Sequence, residues 1–221
     1  MIRGVLFDLD GTLVDTWDLY VEAYTRTLAP HVGRRLTLDE LIALRPISEL
    51  RLLRGALGPG EAVTAQRDFL GHYRCLHPTR FGGVYPGVRQ MLTSLRDLGF
   101  RLGIVTGKSR GAWEITAEAA DLGEFDVLVT DEEVARAKPD AEGLSLALTR
   151  LESPAEAIVY VGDSVVDAQA ARAAGVRFVA ALWPKAEAEV VHFLTQVRQV
   201  GTWAELTSPA GLVDLLEGGQ E

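Results

Sequence analysis

The sequence predicts an α/β protein: a doubly wound parallel-sheet core carrying an inserted helical cap. Three observations lead there. Short apolar runs alternate with amphipathic stretches of helical period, the runs end in acidic or glycine-containing turns, and one long helical stretch interrupts the alternation after the first run. Strands covered by helices on both faces read as nearly continuous apolar runs, which is the character of these.

Arg3-Gly-Val-Leu-Phe-Asp8 is the first predicted strand, with a turn at Gly11. Four more strands are expected at 102–106, 126–130, 157–161 and 176–180, and helices at 88–98, 111–122, 141–151 and 166–174. Gly99 and Gly175 follow helix ends, and Ser153-Pro154 separates a helix from the fourth strand.

From Thr16 to Arg80 the pattern is helical throughout. Thr37-x-x-Glu40 reads as a capping box, and Gly58-Pro59-Gly60 as a break between helices. Residues 77–87, rich in glycine and proline, read as the return to the sheet. The expected division is a core of residues 1–15 and 81–221 and a helical cap of residues 16–80, hinged near Thr16 and residues 81–83. Such a cap would sit over the sheet edge where open α/β sheets place their ligands.

The formal net charge is −9 and the basic residues are scattered, which sets aside nucleic acid as a partner. No apolar run approaches the roughly 18 residues of a membrane-spanning helix, and no signal peptide is visible, so no membrane partner and a cytoplasmic location are expected. The single cysteine, Cys75, is read as a packing residue beside Tyr73 and Leu76. The four histidines show no metal-site spacing. Of the 22 basic residues only Lys108, Lys138 and Lys185 are lysines, so a lysine at a candidate site points to chemistry that arginine serves poorly.

Four motifs fall at the C-terminal ends of predicted strands. In Asp8-Leu9-Asp10-Gly11-Thr12, residues i and i+2 project to one side, so two carboxylates can face one ligand while Gly11 frees the turn. That pair suits two-step phosphoryl transfer: Asp8 would attack, and Asp10 would protonate the leaving oxygen and then activate water. The plainer reading is an Asp-rich turn that caps the next helix. Thr106-Gly107-Lys108 offers a hydroxyl and backbone N–H groups to a phosphoryl oxygen, or is an ordinary strand-to-helix turn. Lys138-Pro139 would hold an ammonium near Asp8, or is a solvated lysine before a helix. In Gly162-Asp163-Ser-Val-Val-Asp167 the two acids lie one helical turn apart and can both turn toward Asp8 and Asp10. Gathering Asp8, Asp10, Asp163 and Asp167 at one edge requires positive charge, and an oxygen-only donor set points to Mg²⁺.

These four motifs, in this order and with a helical insertion after the first, resemble the haloacid dehalogenase superfamily. The likeness is strongest to its phosphoglycolate phosphatase-like group, which has a Rossmann-like core and a helical cap. The resemblance implies Asp8 as nucleophile and Asp10 as acid/base, with Mg²⁺ held by Asp8, the Asp10 backbone carbonyl and Asp163, supported by Asp167. It further implies that Gly11, Thr106 and Gly107 bind the phosphoryl group and that Lys138 orients Asp8. Gly107 stands where that group often carries Asn or Ser, and Leu44-Arg45-Pro46 where related caps often have a glycine-containing loop.

The expected activity is therefore Mg²⁺-dependent hydrolysis of a small phosphorylated metabolite through an aspartyl-phosphate, by a monomer or homodimer. A sugar phosphomutase of the same superfamily shares the Asp8 and Asp10 chemistry, and a non-catalytic phospho-binding module is the alternative of another class. Arg45, Arg51 and Arg54 are candidates to meet a substrate carboxylate or second phosphate, or are solvated charges on the cap surface.

Overall fold

The computed structural model describes residues 1–44 and 48–218. Strand β1 (Gly4–Phe7) is central to a six-stranded parallel sheet. It is flanked by β4 (Arg101–Val105) and β6 (Ile158–Gly162), and β5 (Val127–Val129), β7 (Arg177–Ala181) and β8 (Ala204–Leu206) complete the order β5-β4-β1-β6-β7-β8. Every residue of β1 and β6 is buried, as an apolar strand covered on both faces must be. Helices α5 (Val88–Asp97) and α10 (Ala210–Gly218) cover one face, and α7 (Glu142–Arg150), α8 (Val165–Ala174) and α9 (Glu187–Val200) the other.

Strand β8 is absent from the sequence expectation of five strands. It is three half-buried residues at the sheet edge, too short for an apolar run, and it is held by the Leu206 carbonyl accepting from the Leu182 N–H.

The helical stretch consists of α1 (Trp17–Val32), α2 (Leu38–Ala43), α3 (Glu49–Leu57) and α4 (Pro59–Arg80). The Thr37/Glu40 capping box forms, and the break at Gly58 separates α3 from α4. Both ends of the stretch are tied together by a small antiparallel pair, β2 (Val14–Asp15) with β3 (Gly83–Val84). Its apolar cluster centres on Leu19, Tyr24, Leu53, Phe69 and Tyr73 and takes in Ala112 and Ile115 of α6 (Arg110–Ala120), so helix and core pack as neighbours.

Two expectations need correction. Helix α4 runs through His77 and Pro78, past the expected start of the return segment. Pro78 deprives only the Arg74 carbonyl of its partner, on an exposed face, while Tyr73, Leu76 and His77 hold the last turn down by burial. Cys75 is exposed, because helical periodicity turns it away from the face that Tyr73 and Leu76 bury. Among the described residues no helix is long and apolar enough to cross a membrane.

Candidate active site

The four motifs converge at the C-terminal ends of β1, β4 and β6, beside the segment that follows β5. Asp8 continues the β1 ladder by donating its N–H to the Val161 carbonyl at 2.9 Å. The chain then turns at Gly11, whose φ of +79° suits glycine, and a Cβ there would stand 2.8 Å from Asp163 Oδ2. Glycine is thus needed twice over, for the turn and for the approach of Asp163. Gly162 has the same second role: a Cβ would meet that of Asp167 at 2.6 Å. Asp167 folds back over this gap to form a capping box with Ser164, the N-cap of α8.

Asp8, Asp163 and Asp167 come together, offering oxygens that all lie within 4.8 Å of one another. Three hard oxygen donors this close fit a divalent cation such as Mg²⁺. Burial, opposed by Lys185 and reinforced by Asp167, pushes the Asp163 carboxyl up to about 6. Burial also pushes Asp8 well above the usual range, against the pull of Lys138 and with Asp167 and Asp163 adding to the rise. These carboxylates therefore favour additional positive charge.

Lys138, after a cis Lys138–Pro139 peptide, donates from Nζ to Asp8 Oδ1 at 2.7 Å, to Asp167 Oδ1 at 2.6 Å and to the Tyr160 hydroxyl at 3.0 Å. Burial opposes its charge, but Asp167 and Asp8 outweigh that and hold the ammonium well above the ordinary lysine range. Asp167 is fully buried, and its second oxygen accepts from the Ser164 N–H at 3.1 Å and from the Ser164 hydroxyl. Lys138 and the Tyr160 hydroxyl, which is also within reach of the Val105 carbonyl, stand on its other oxygen, which fits a residue that fixes Lys138. Asp163 accepts from Thr12 at 3.2 Å and from Lys185 at 3.1 Å.

The Asp10 side chain is not part of the acidic cluster. It pairs with Lys108 at 2.9 Å and accepts from the Thr16 hydroxyl at 2.6 Å. Lys108 is completely buried: its ammonium also donates to the hydroxyls of Tyr20 and Tyr73, both at 2.8 Å, and lies over both rings. Tyr20 in turn donates to Glu49 Oε1 at 2.7 Å.

A cavity of about 740 Å³ joins these parts. Asp8, Asp10, Gly11, Thr106, Gly107, Lys138 and Asp163 line it from the sheet side, and Tyr20, Val21, Tyr24, Leu41, Ile42 and Glu49 from the helices. Arg45 lies outside the described residues. Arg51 is turned to the core instead: Nε donates to Asp131 at 3.1 Å and its two terminal nitrogens to the carbonyls of Ala135 and Val134 at 3.0 Å. Ser48 also donates to Asp131, so the start of α3 is clasped to the segment following β5. Arg54 is exposed and does not line the cavity.

Lys108, Lys185, Tyr160, Tyr20, Tyr73 and Glu49 were not among the expected site residues. A signal existed for the lysines: all three of the chain's lysines stand on site carboxylates, in line with their scarcity among the basic residues. Tyr160 breaks an otherwise aliphatic strand, and a buried tyrosine hydroxyl must find a partner. Glu49, Tyr20 and Tyr73 gave no such signal.

Residues 5–181 match the family model for haloacid dehalogenase-like hydrolases. A phosphoglycolate phosphatase from Cupriavidus necator is 40% identical over 180 residues, covering 78% of each chain. The pyrophosphatase PpaX of Bacillus velezensis is 32% identical over 186 residues, 82% of this chain and 84% of that protein. Among solved structures, CbbY from Rhodobacter sphaeroides in complex with phosphate aligns with a TM-score of 0.81 at 25% identity, covering 96% of both chains.

Proposed function

The chain belongs to the haloacid dehalogenase-like hydrolase family, and from that premise we propose a Mg²⁺-dependent phosphatase that hydrolyses a small phosphorylated metabolite through phosphorylated Asp8. It is a phosphoric monoester hydrolase, similar to the phosphoglycolate phosphatases. With this reading go residues 16–80 as a cap over the site, a cytoplasmic location, where such metabolites are found, and a monomer or homodimer.

Asp8 attacks phosphorus, forming an O–P bond as the bond to the leaving alcohol breaks, and Asp10 gives that alcohol its proton. Asp10 then takes a proton from water as the water oxygen attacks phosphorus, which frees Asp8 and inorganic phosphate. Lys138 holds Asp8 oriented and favours its ionised form, itself fixed by Asp167 and Tyr160. The Thr106 hydroxyl and the backbone N–H of Gly107, with Gly11 opposite, receive the phosphoryl oxygens. Asp8 and Asp163, with the Asp10 carbonyl and Asp167 in support, would hold Mg²⁺, which when bound supplies positive charge to those oxygens.

The observation that carries this reading is the Lys138 ammonium bridging Asp8 and Asp167 in the wall of the cavity. Phosphate release from p-nitrophenyl phosphate tests it, with and without Mg²⁺, for the wild type and Asp8→Asn. Magnesium-dependent release lowered about 10³-fold or more by the substitution is expected. Release that survives in Asp8→Asn would remove Asp8 as nucleophile.

A further inference from the structure

Glu49 is the first residue of α3 and lines the same cavity as Asp8 and Asp10, yet it is 1% exposed. Its Oε1 accepts from Tyr20, while its Oε2 is buried and has no hydrogen-bond partner among the described residues. Burial raises the Glu49 carboxyl above its ordinary range, and the nearby Lys108 ammonium, with the Ser109 and Tyr20 hydroxyls, opposes that rise and favours the ionised form. Buried polar atoms are almost always paired, because an unpaired one forfeits its hydration for nothing. A ligand that donates to Oε2 recovers that loss.

Among the described residues none fills this role, the Ser109 hydroxyl included. The Tyr20 proton is committed to Glu49, and the Lys108 ammonium is spent on Asp10, Tyr20 and Tyr73. Around Glu49 the helical wall is Trp17, Tyr20, Val21, Tyr24, Leu41 and Ile42, with the Ser48 hydroxyl committed to Asp131. Among the described residues this wall therefore presents one open acceptor and no uncommitted cation. A hydroxyl on the leaving group completes it. A carboxylate has no proton to give and would bring like charge against Glu49.

Building on the phosphatase reading above, we propose that Glu49 is a specificity residue that accepts a hydrogen bond from a hydroxyl of the leaving alcohol. The enzyme thereby selects hydroxylated phosphate esters over carboxylated ones. Phosphoglycolate, for which the Cupriavidus necator relative is named, is a carboxylated ester and falls on the disfavoured side.

The test compares kcat/KM for glycerol 3-phosphate, n-propyl phosphate and 2-phosphoglycolate. Wild type should prefer glycerol 3-phosphate to each of the others by about ten- to a hundredfold, the range of a hydrogen bond to a charged acceptor. In Glu49→Gln the amide oxygen must face Tyr20, which turns the NH₂ group to the cavity. The preference for glycerol 3-phosphate over 2-phosphoglycolate should then fall at least about tenfold, a ratio that a general loss of structure would not change. Wild type that prefers 2-phosphoglycolate overturns the assignment whatever the variant does, as does a ratio unchanged in Glu49→Gln. Wild type inert on all three esters and on p-nitrophenyl phosphate would instead sink the phosphatase reading beneath it.

Discussion

On the sheet side of the cavity three motif carboxylates each have a lysine against them: Lys138 on Asp8, Lys185 on Asp163 and Lys108 on Asp10. On the helical side the wall is aromatic and aliphatic, and its one acid, Glu49, keeps an oxygen open. The first arrangement is complete before a substrate arrives; the second is completed by the substrate. Charge that must stabilise a reacting phosphoryl group acts best when already fixed in place. Discrimination works the other way, by leaving a polar group unsatisfied unless the right partner binds.

The strongest break in this comparison is to remove the lysine that holds the sheet side together. Lys138→Met leaves Asp8 and the fully buried Asp167 without their common cation. Breaking a buried pair from one side costs about 3–5 kcal/mol, so denaturant unfolding should show a loss of that order. Loss of a preorganised charge at the reacting centre should lower kcat by about 10²–10³-fold. A variant of near-native stability and rate would show that Lys138 does not hold Asp8.

Lys108→Met asks the same of the lysine lying between the two walls. Its partner Asp10 is about a quarter exposed and keeps Thr16 as a donor, so water can replace part of what is lost. A stability loss of about 1–3 kcal/mol is expected, smaller than for Lys138. Equal losses for the two lysines would mean that Thr16 and water do not replace what Asp10 loses.

These two lysines also show how far the sequence could be read. The shared placement of four motifs after predicted strands marked Asp8, Thr106, Lys138, Asp163 and Asp167, although each motif singly also has an ordinary structural reading. The strands of the parallel sheet were legible from their apolar runs, except β8, whose three residues lie at the sheet edge, while the two-residue pair β2 and β3 is too short to leave such a run. Lys108 stood inside a recognised motif, but what it does depends on Tyr20 and Tyr73, 88 and 35 residues distant in the chain. Periodicity shows that those tyrosines face inward and not which cation they meet. Glu49 was beyond reach: a Glu after Ser48 reads as a first-turn residue completing a helix start, and only packing reveals that it is buried.

Cation binding sharpens the sheet side further. Burial raises the Asp163 carboxyl to about 6, above its ordinary value. Such a group binds more protons folded than unfolded, so its contribution to stability is present at low pH and is lost as pH rises from about 4 through about 6. Mg²⁺ competes with that proton, since a ligating carboxylate must be ionised. Saturating Mg²⁺ should therefore raise the unfolding temperature more at about pH 7.5 than at about pH 5. An equal or larger rise at the lower pH would argue that Asp163 is not a ligand.

The smallest effect is expected where the helical side is pinned to the core. Arg51 holds the start of α3 by bonds to Asp131 and to the carbonyls of Val134 and Ala135, but its side chain is 40% exposed. Solvent screening therefore keeps the stability lost in Arg51→Ala below about 1 kcal/mol. Its interest lies in what it positions. Ser48 and Arg51 bracket Glu49, and both grip Asp131, so loosening one lets the Glu49 oxygen wander without removing it. The chemistry of Asp8 and Lys138, anchored in β1 and beside β6, is out of reach of that slack. The expected signature is a KM raised a few fold, about 3–5-fold, for a hydroxylated ester with kcat held. A fall in kcat with KM unchanged would mean that the clasp serves the reacting centre through the segment leading to Lys138.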